Sequence, residues 1–103
     1  MSVRHLANNE IIQLPEDEKL HAIAYLLDET VLHIRERYHQ GILIKYSYHH
    51  ITNSGIYRWD NVPHHSSVPT FPYHCHIHDA VKESVPMDIV TVFHKIKSKQ
   101  ENY

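Results

Sequence analysis

The stretch Ile42-Leu43-Ile44-Lys45-Tyr46-Ser47-Tyr48-His49-His50-Ile51 most limits what this chain can become. It is β-branched and aromatic, the composition of a half-buried strand. Alternation assigns Ile42, Ile44, Tyr46 and Tyr48 to one side, and Lys45, Ser47 and His49 to the other. Gly41 marks a turn before it, and Thr52-Asn53-Ser54-Gly55 has the composition of a hairpin turn after it. Ile56 to Asn61 then returns as a strand, with Tyr57 and Trp59 opposite Arg58 and Asp60.

Upstream, Leu20 to Leu27 is apolar on both parities, Asp28-Glu29-Thr30 interrupts it, and Val31 to Tyr38 alternates. Leu32, Ile34 and Tyr38 share one parity; His33, Arg35 and Arg37 share the other. That period of two favours a hairpin turning at residues 28–30, although a long helix over 16–39 is the alternative. Residues 1–14 carry no decisive pattern. Downstream, Val62 to Pro72 reads as a loop carrying Pro63, His64, His65, two serines and Pro69. Phe71, Tyr73, Cys75 and Ile77 then alternate with His74, His76 and His78, a strand whose outward side is a file of imidazoles. Pro86 sits where a first helical turn often begins, and Ile89, Val92, Phe93 and Ile96 recur at helical spacing. Lys97 to Tyr103 reads as a solvated tail. The expected fold is α+β: an antiparallel sheet of four to six strands with a C-terminal amphipathic helix packed on one face. At 103 residues it forms one domain over 1–103. An antiparallel sheet can keep its other face wet, and that is where function is expected.

A formal charge of −2 and a pI near 6.6 argue against a strong sequence-independent grip on phosphate backbones. Twelve histidines soften that charge, because imidazoles titrate near neutrality. One cysteine, Cys75, excludes an internal disulfide and fits a reducing compartment. With no apolar run of ~20 residues and no signal-peptide pattern, the expectation is a soluble cytoplasmic protein without a membrane partner.

Three chemistries suit the polar face. The first is metal-independent RNA cleavage. It needs a base for the 2′-hydroxyl, an acid for the departing 5′-oxygen and a cation on the phosphoryl oxygens. His64, His65, His74 and His76 supply proton transfer, Arg58 grips phosphate, and Asp60 orients a histidine or pairs with Arg58. Lys45, His49 and Arg35 are the substrate-binding candidates. No cofactor is required on this reading. The second is a zinc or other divalent-metal site, because His-x-His on a strand turns both rings to one side; His74 and His76 would be joined by His64, and His65 could also complete the set. The third is a non-enzymatic binding module with surface histidines. Cys75 shares parity with Tyr73 and Ile77 and reads as a buried thiol.

At these residues a resemblance enters. Lys45-Tyr46-Ser47-Tyr48-His49, Arg58-Trp59-Asp60-Asn61-Val62-Pro63-His64-His65 and Phe71-Pro72-Tyr73-His74-Cys75-His76-Ile77 resemble the TumE family over roughly residues 30–97. Val62 stands where alanine is usual, Tyr73 where histidine is common, and Cys75 where lysine is common, which removes a cation. The resemblance implies a cytoplasmic toxin of a toxin–antitoxin pair with a RelE-like outline. It would be held by a cognate antitoxin, a DNA-binding helix-turn-helix protein, and its target would be RNA, on or off the ribosome.

Overall fold

The period of two around residues 28–30 resolves as a hairpin. In a computed structural model describing residues 16–101, with side chains through residue 98, β1 (Asp17–Tyr25) pairs antiparallel with β2 (Val31–His39). Asp28 builds the turn: its Oδ1 accepts from Thr30 N and Thr30 Oγ1. The chain then runs as a meander through β3 (Ile42–Thr52), β4 (Gly55–Asp60), β5 (His74–Ile77) and β6 (Ala80–Glu83), so sheet order equals chain order. The helix α1 (Ile89–Glu101) follows. The α+β expectation holds, with six strands and one helix among the described residues. Residues 1–14, left unassigned from sequence, lie outside the described residues.

Burial of one sheet face drives the assembly. Leu32, Ile34, Tyr46, Tyr48, Trp59 and Cys75 from the strands pack with Met87, Val92 and Ile96 from α1 and its approach. Leu32 and Val92 are fully buried, and each such side chain stabilises the fold by about 1.5–3 kcal/mol. Asp88 caps the helix, its Oδ1 accepting from Thr91 N and Thr91 Oγ1 at 2.8 Å each. Those two bonds hold its carboxyl below the usual 3.8. The helix therefore starts after Asp88, beyond Pro86, and it continues through the stretch expected as a tail to Glu101. Its buried side is Ile89, Val92 and Ile96, whereas Phe93 points outward.

Two strand expectations change. Ile42 and Ile44 do not share the buried side with Tyr46 and Tyr48. A β-bulge leaves Ile44 unpaired, because Arg37 faces Lys45 while Tyr38 faces Leu43. The extra residue reverses parity, so Leu43 joins the core while Ile42 and Ile44 are exposed. The imidazole strand is also shorter than its alternation suggests. It begins at His74, and Phe71 is exposed in a turn whose Phe71–Pro72 peptide is cis.

Candidate functional site

On the wet face the register aligns side chains into bands that cross the strands. Lys19, Arg37 and Lys45 face one another across β1, β2 and β3. With His21, Arg35 and Ser47 they line a groove of about 480 Å³. The next row is His21, Arg35, Ser47, Asp60 and His74, and the one after it is Ile23, His33, His49, Arg58 and His76. A last row, Tyr25, Val31, Ile51 and Ile56, is apolar. The face thus grades from cationic through imidazole-rich to apolar, and Arg35 and Ser47 connect the groove to the middle rows.

Asp60 is the hub. It is only 4 % exposed although it lies on the wet face, because the loop after β4 folds back over it. Its Oδ1 accepts from the Val62 amide at 3.1 Å and lies 2.8 Å from His74 Nε2. Its Oδ2 lies 3.0 Å from Arg58 Nε, a contact ion pair in which the N–H is not aimed at the oxygen. The same oxygen is 3.8 Å from His76 Nε2. The other ring nitrogen of His74, Nδ1, faces the Pro72 carbonyl at 2.9 Å. Both nitrogens of this buried ring therefore face acceptor oxygens.

Arg58 reaches from Asp60 to His76, with Nη2 2.8 Å from His76 Nε2. A guanidinium only donates, so this imidazole nitrogen carries the lone pair. Burial and then the neighbouring Arg58 charge hold the His76 pKa below the ordinary 6.5. The same two causes, in the same order, lower His49, which faces Arg58 from β3. The third imidazole comes from the loop. His65 stands edge-on to both strand histidines, with ring centroids 4.8 Å from His74 and 5.2 Å from His76, while His74 and His76 are 4.9 Å apart. One donor atom from each of these three rings can lie within 4.8 Å of the others.

Backbone bonds fix the loop. The Val68 amide donates to the His65 carbonyl, Tyr73 N donates to Thr70 O, and Ser84 N donates to Thr70 Oγ1, tying the loop to the segment after β6. At its start, Asn61 spans the bulge on β3. Its Oδ1 accepts from Tyr46 N and its Nδ2 donates to Ile44 O, both at 3.0 Å.

Of the residues singled out from sequence, the structure brings Arg58, Asp60, His65, His74 and His76 together and sets His49 beside them. Lys45 and Arg35 lie in the adjoining groove. His64 is exposed in the loop, and the ring contacts to His74 and His76 come from His65. His50, on the opposite face from His49, is buried and meets Thr30 Oγ1 at 2.9 Å, a structural role. His78 is exposed and packs on Tyr57, ring centroids 5.4 Å apart. Cys75 is buried in the core and donates to the Glu83 carbonyl.

Asn61 had no assigned role from sequence, and neither did Glu36. Glu36 is a buried carboxylate on the dry face that accepts from Tyr48 Oη at 2.6 Å and Tyr38 Oη at 2.9 Å. Its signal was available: it shares parity with Leu32, Ile34 and Tyr38, a charge in an apolar register.

Among the described residues no helix is long and apolar enough to cross a membrane. No curated protein and no solved structure matches the chain significantly. A family model described as Toxin TumE matches residues 3–102, nearly the whole sequence, and supports a toxin role. The chain belongs to the TumE toxin family.

Proposed function

We propose that this toxin acts on RNA in the cytoplasm, cleaving the phosphodiester backbone without a metal cofactor, and that a DNA-binding antitoxin of helix-turn-helix type holds it inactive. The observation that carries the reading is the packing of three imidazoles with an Arg–Asp pair beside a cationic groove. Lys45 and Arg35 in that groove bind flanking phosphates. Arg58 turns from His76 to the scissile phosphate, where its two Nη groups neutralise charge that grows on the phosphoryl oxygens. That movement frees the lone pair on His76 Nε2 to accept the 2′-hydroxyl proton. His65, presented by the loop, carries the proton to the departing 5′-oxygen. His74 is too enclosed to touch substrate; joined to Asp60 and the Pro72 carbonyl, it is a positioning residue. His49 borders the phosphate site from β3.

The test is RNA cleavage by the purified chain with and without chelator, together with growth arrest on expression. Cleavage should survive chelation and fall about 10²–10⁴-fold in His65→Ala, the range for losing a proton-transfer group. Full cleavage by a folded His65→Ala protein would overturn the assignment, and RNA retained without cleavage would leave a toxin that acts by binding.

A further inference from the structure

The three imidazoles have a mutual arrangement that proton transfer does not require. Their centroid separations of 4.8, 4.9 and 5.2 Å are nearly equal, and their planes are mutually tilted by 69°, 70° and 71°. Three imidazoles on one tetrahedral zinc, with Zn–N about 2.0 Å, have centroids about 5 Å apart. The hydrogen bonds around the rings also fit. His74 Nδ1 donates to the Pro72 carbonyl, which leaves Nε2 as its ligating atom, and this carbonyl-anchored ring is how metal-bound histidines are usually oriented. Nε2 in turn lies 2.8 Å from Asp60 Oδ1, and His76 Nε2 is 3.8 Å from Asp60 Oδ2, so an anionic oxygen stands beside two of the three donors. Cys75 projects from the opposite side of β5 into the core, so the donor set is nitrogen and oxygen only.

We propose that His65, His74 and His76, with Asp60 as fourth ligand, form a site for a zinc-like transition-metal ion, and that this ion competes with Arg58. Competition follows from one atom. The lone pair on His76 Nε2 that a metal would take is the one that accepts Arg58 Nη2 at 2.8 Å. A metal there repels the guanidinium and engages the carboxylate that the guanidinium pairs with. Imidazole-rich sites of this kind favour zinc, copper and nickel over magnesium or calcium. His65, not its neighbour His64, completes the set. Because the ion takes both proton-transfer rings and expels the phosphate-binding arginine, it switches the site off. That regulatory half rests on the RNA-cleavage reading; the binding half does not.

Cobalt(II) titration of the metal-free full-length chain, followed by zinc displacement, reads binding without RNA. One equivalent should give the intense visible bands of tetrahedral cobalt. His65→Ala should weaken binding at least tenfold, and His64→Ala should leave it unchanged. Arg58→Gln should tighten it about tenfold, with Arg58→Lys as a second variant if the first is poorly folded by circular dichroism. No stoichiometric binding by the wild type, or equal losses in His64→Ala and His65→Ala, would overturn the site. Weaker binding in the folded arginine variants would overturn the competition. In parallel, one equivalent of zinc should suppress RNA cleavage at least tenfold, and stimulation would overturn the switch. Absence of cleavage with and without zinc sinks the RNA-cleavage reading and the switch together, while the cobalt titration still decides the site.

Discussion

Two enclosed carboxylates sit on opposite faces of the same sheet. Asp60 and Glu36 are exposed by only 4 % and 8 %, and side chains crowd both, three around Asp60 and two around Glu36. The difference lies in what those partners can do. Glu36 is met by the phenols of Tyr38 and Tyr48, which lie on the dry face and stay protonated. Burial and the Glu36 bond push Tyr38 up to about 12, and the same causes raise Tyr48 further. Asp60 is met by a guanidinium and two imidazoles beside an open groove, side-chain types that can pair with anions or transfer protons. Burial alone does not make an acid functional; the ionisation range and access of its neighbours decide that.

Isosteric amide substitution separates the two most sharply. Asp60→Asn should reduce RNA cleavage about 100-fold or more, because Arg58 and His74 lose their shared anion, and should destabilise the chain by about 3 kcal/mol. Steady-state cleavage measured beside thermal melting would show both effects. If cleavage per folded molecule stayed intact, Asp60 would be an architectural acid like Glu36. Glu36→Gln should cost about 1–2 kcal/mol through one poorly matched phenol, with cleavage per folded molecule unchanged, as denaturant melts and the same assay would reveal.

The two faces should also fail at opposite ends of the pH scale. His49 and His76 are neutral in the fold and take up protons more readily when unfolded. Their contribution to stability is therefore present above pH 6.5 and is lost as pH falls from 6.5 through their lowered folded values. Tyr38 and Tyr46, both raised from 10 to about 12 mainly by burial, contribute stability that is present below pH 10 and lost as pH rises from 10 through about 12. Denaturant melts across pH should show the acid limb flattened by His49→Gln and the alkaline limb flattened by Tyr38→Phe. The reverse assignment would break the contrast. The smallest effect is expected at the groove. Lys45→Ala should weaken RNA binding only a few-fold and reduce the salt slope by about one phosphate contact, with melting unchanged.

Much of the fold was legible because period-two patterning survives wherever a strand has one dry side. The hairpin at residues 28–30, the division of Arg58 and Asp60 from Tyr57 and Trp59, and the His74–His76 pairing all follow from it. The bulge at Ile44 was not legible, because one inserted residue leaves β-branched composition intact while reversing which isoleucines are buried. β6 is four residues long, too short for a periodic signal to emerge. Choosing His65 over His64 required the path of a loop, which bonds from Thr70 and Val68 set and no periodicity encodes. The enclosure of Asp60 was hidden for the same reason: the lid is that loop, not a strand neighbour.

The Asn61 side chain offers an oxygen and an NH₂ where a strand would offer a carbonyl and an amide, and so stitches the end of β4 to the bulge residue Ile44 and to Tyr46 beyond it. The anchor residue directly follows Asp60 and directly precedes the lid carrying His65. Sliding of β3 by even part of a residue would therefore drag hub and lid with it. On the proposed function, the Asn61 amide adds to the strand pairing a mechanical linkage between where a polyanion would first land and where its bond would break.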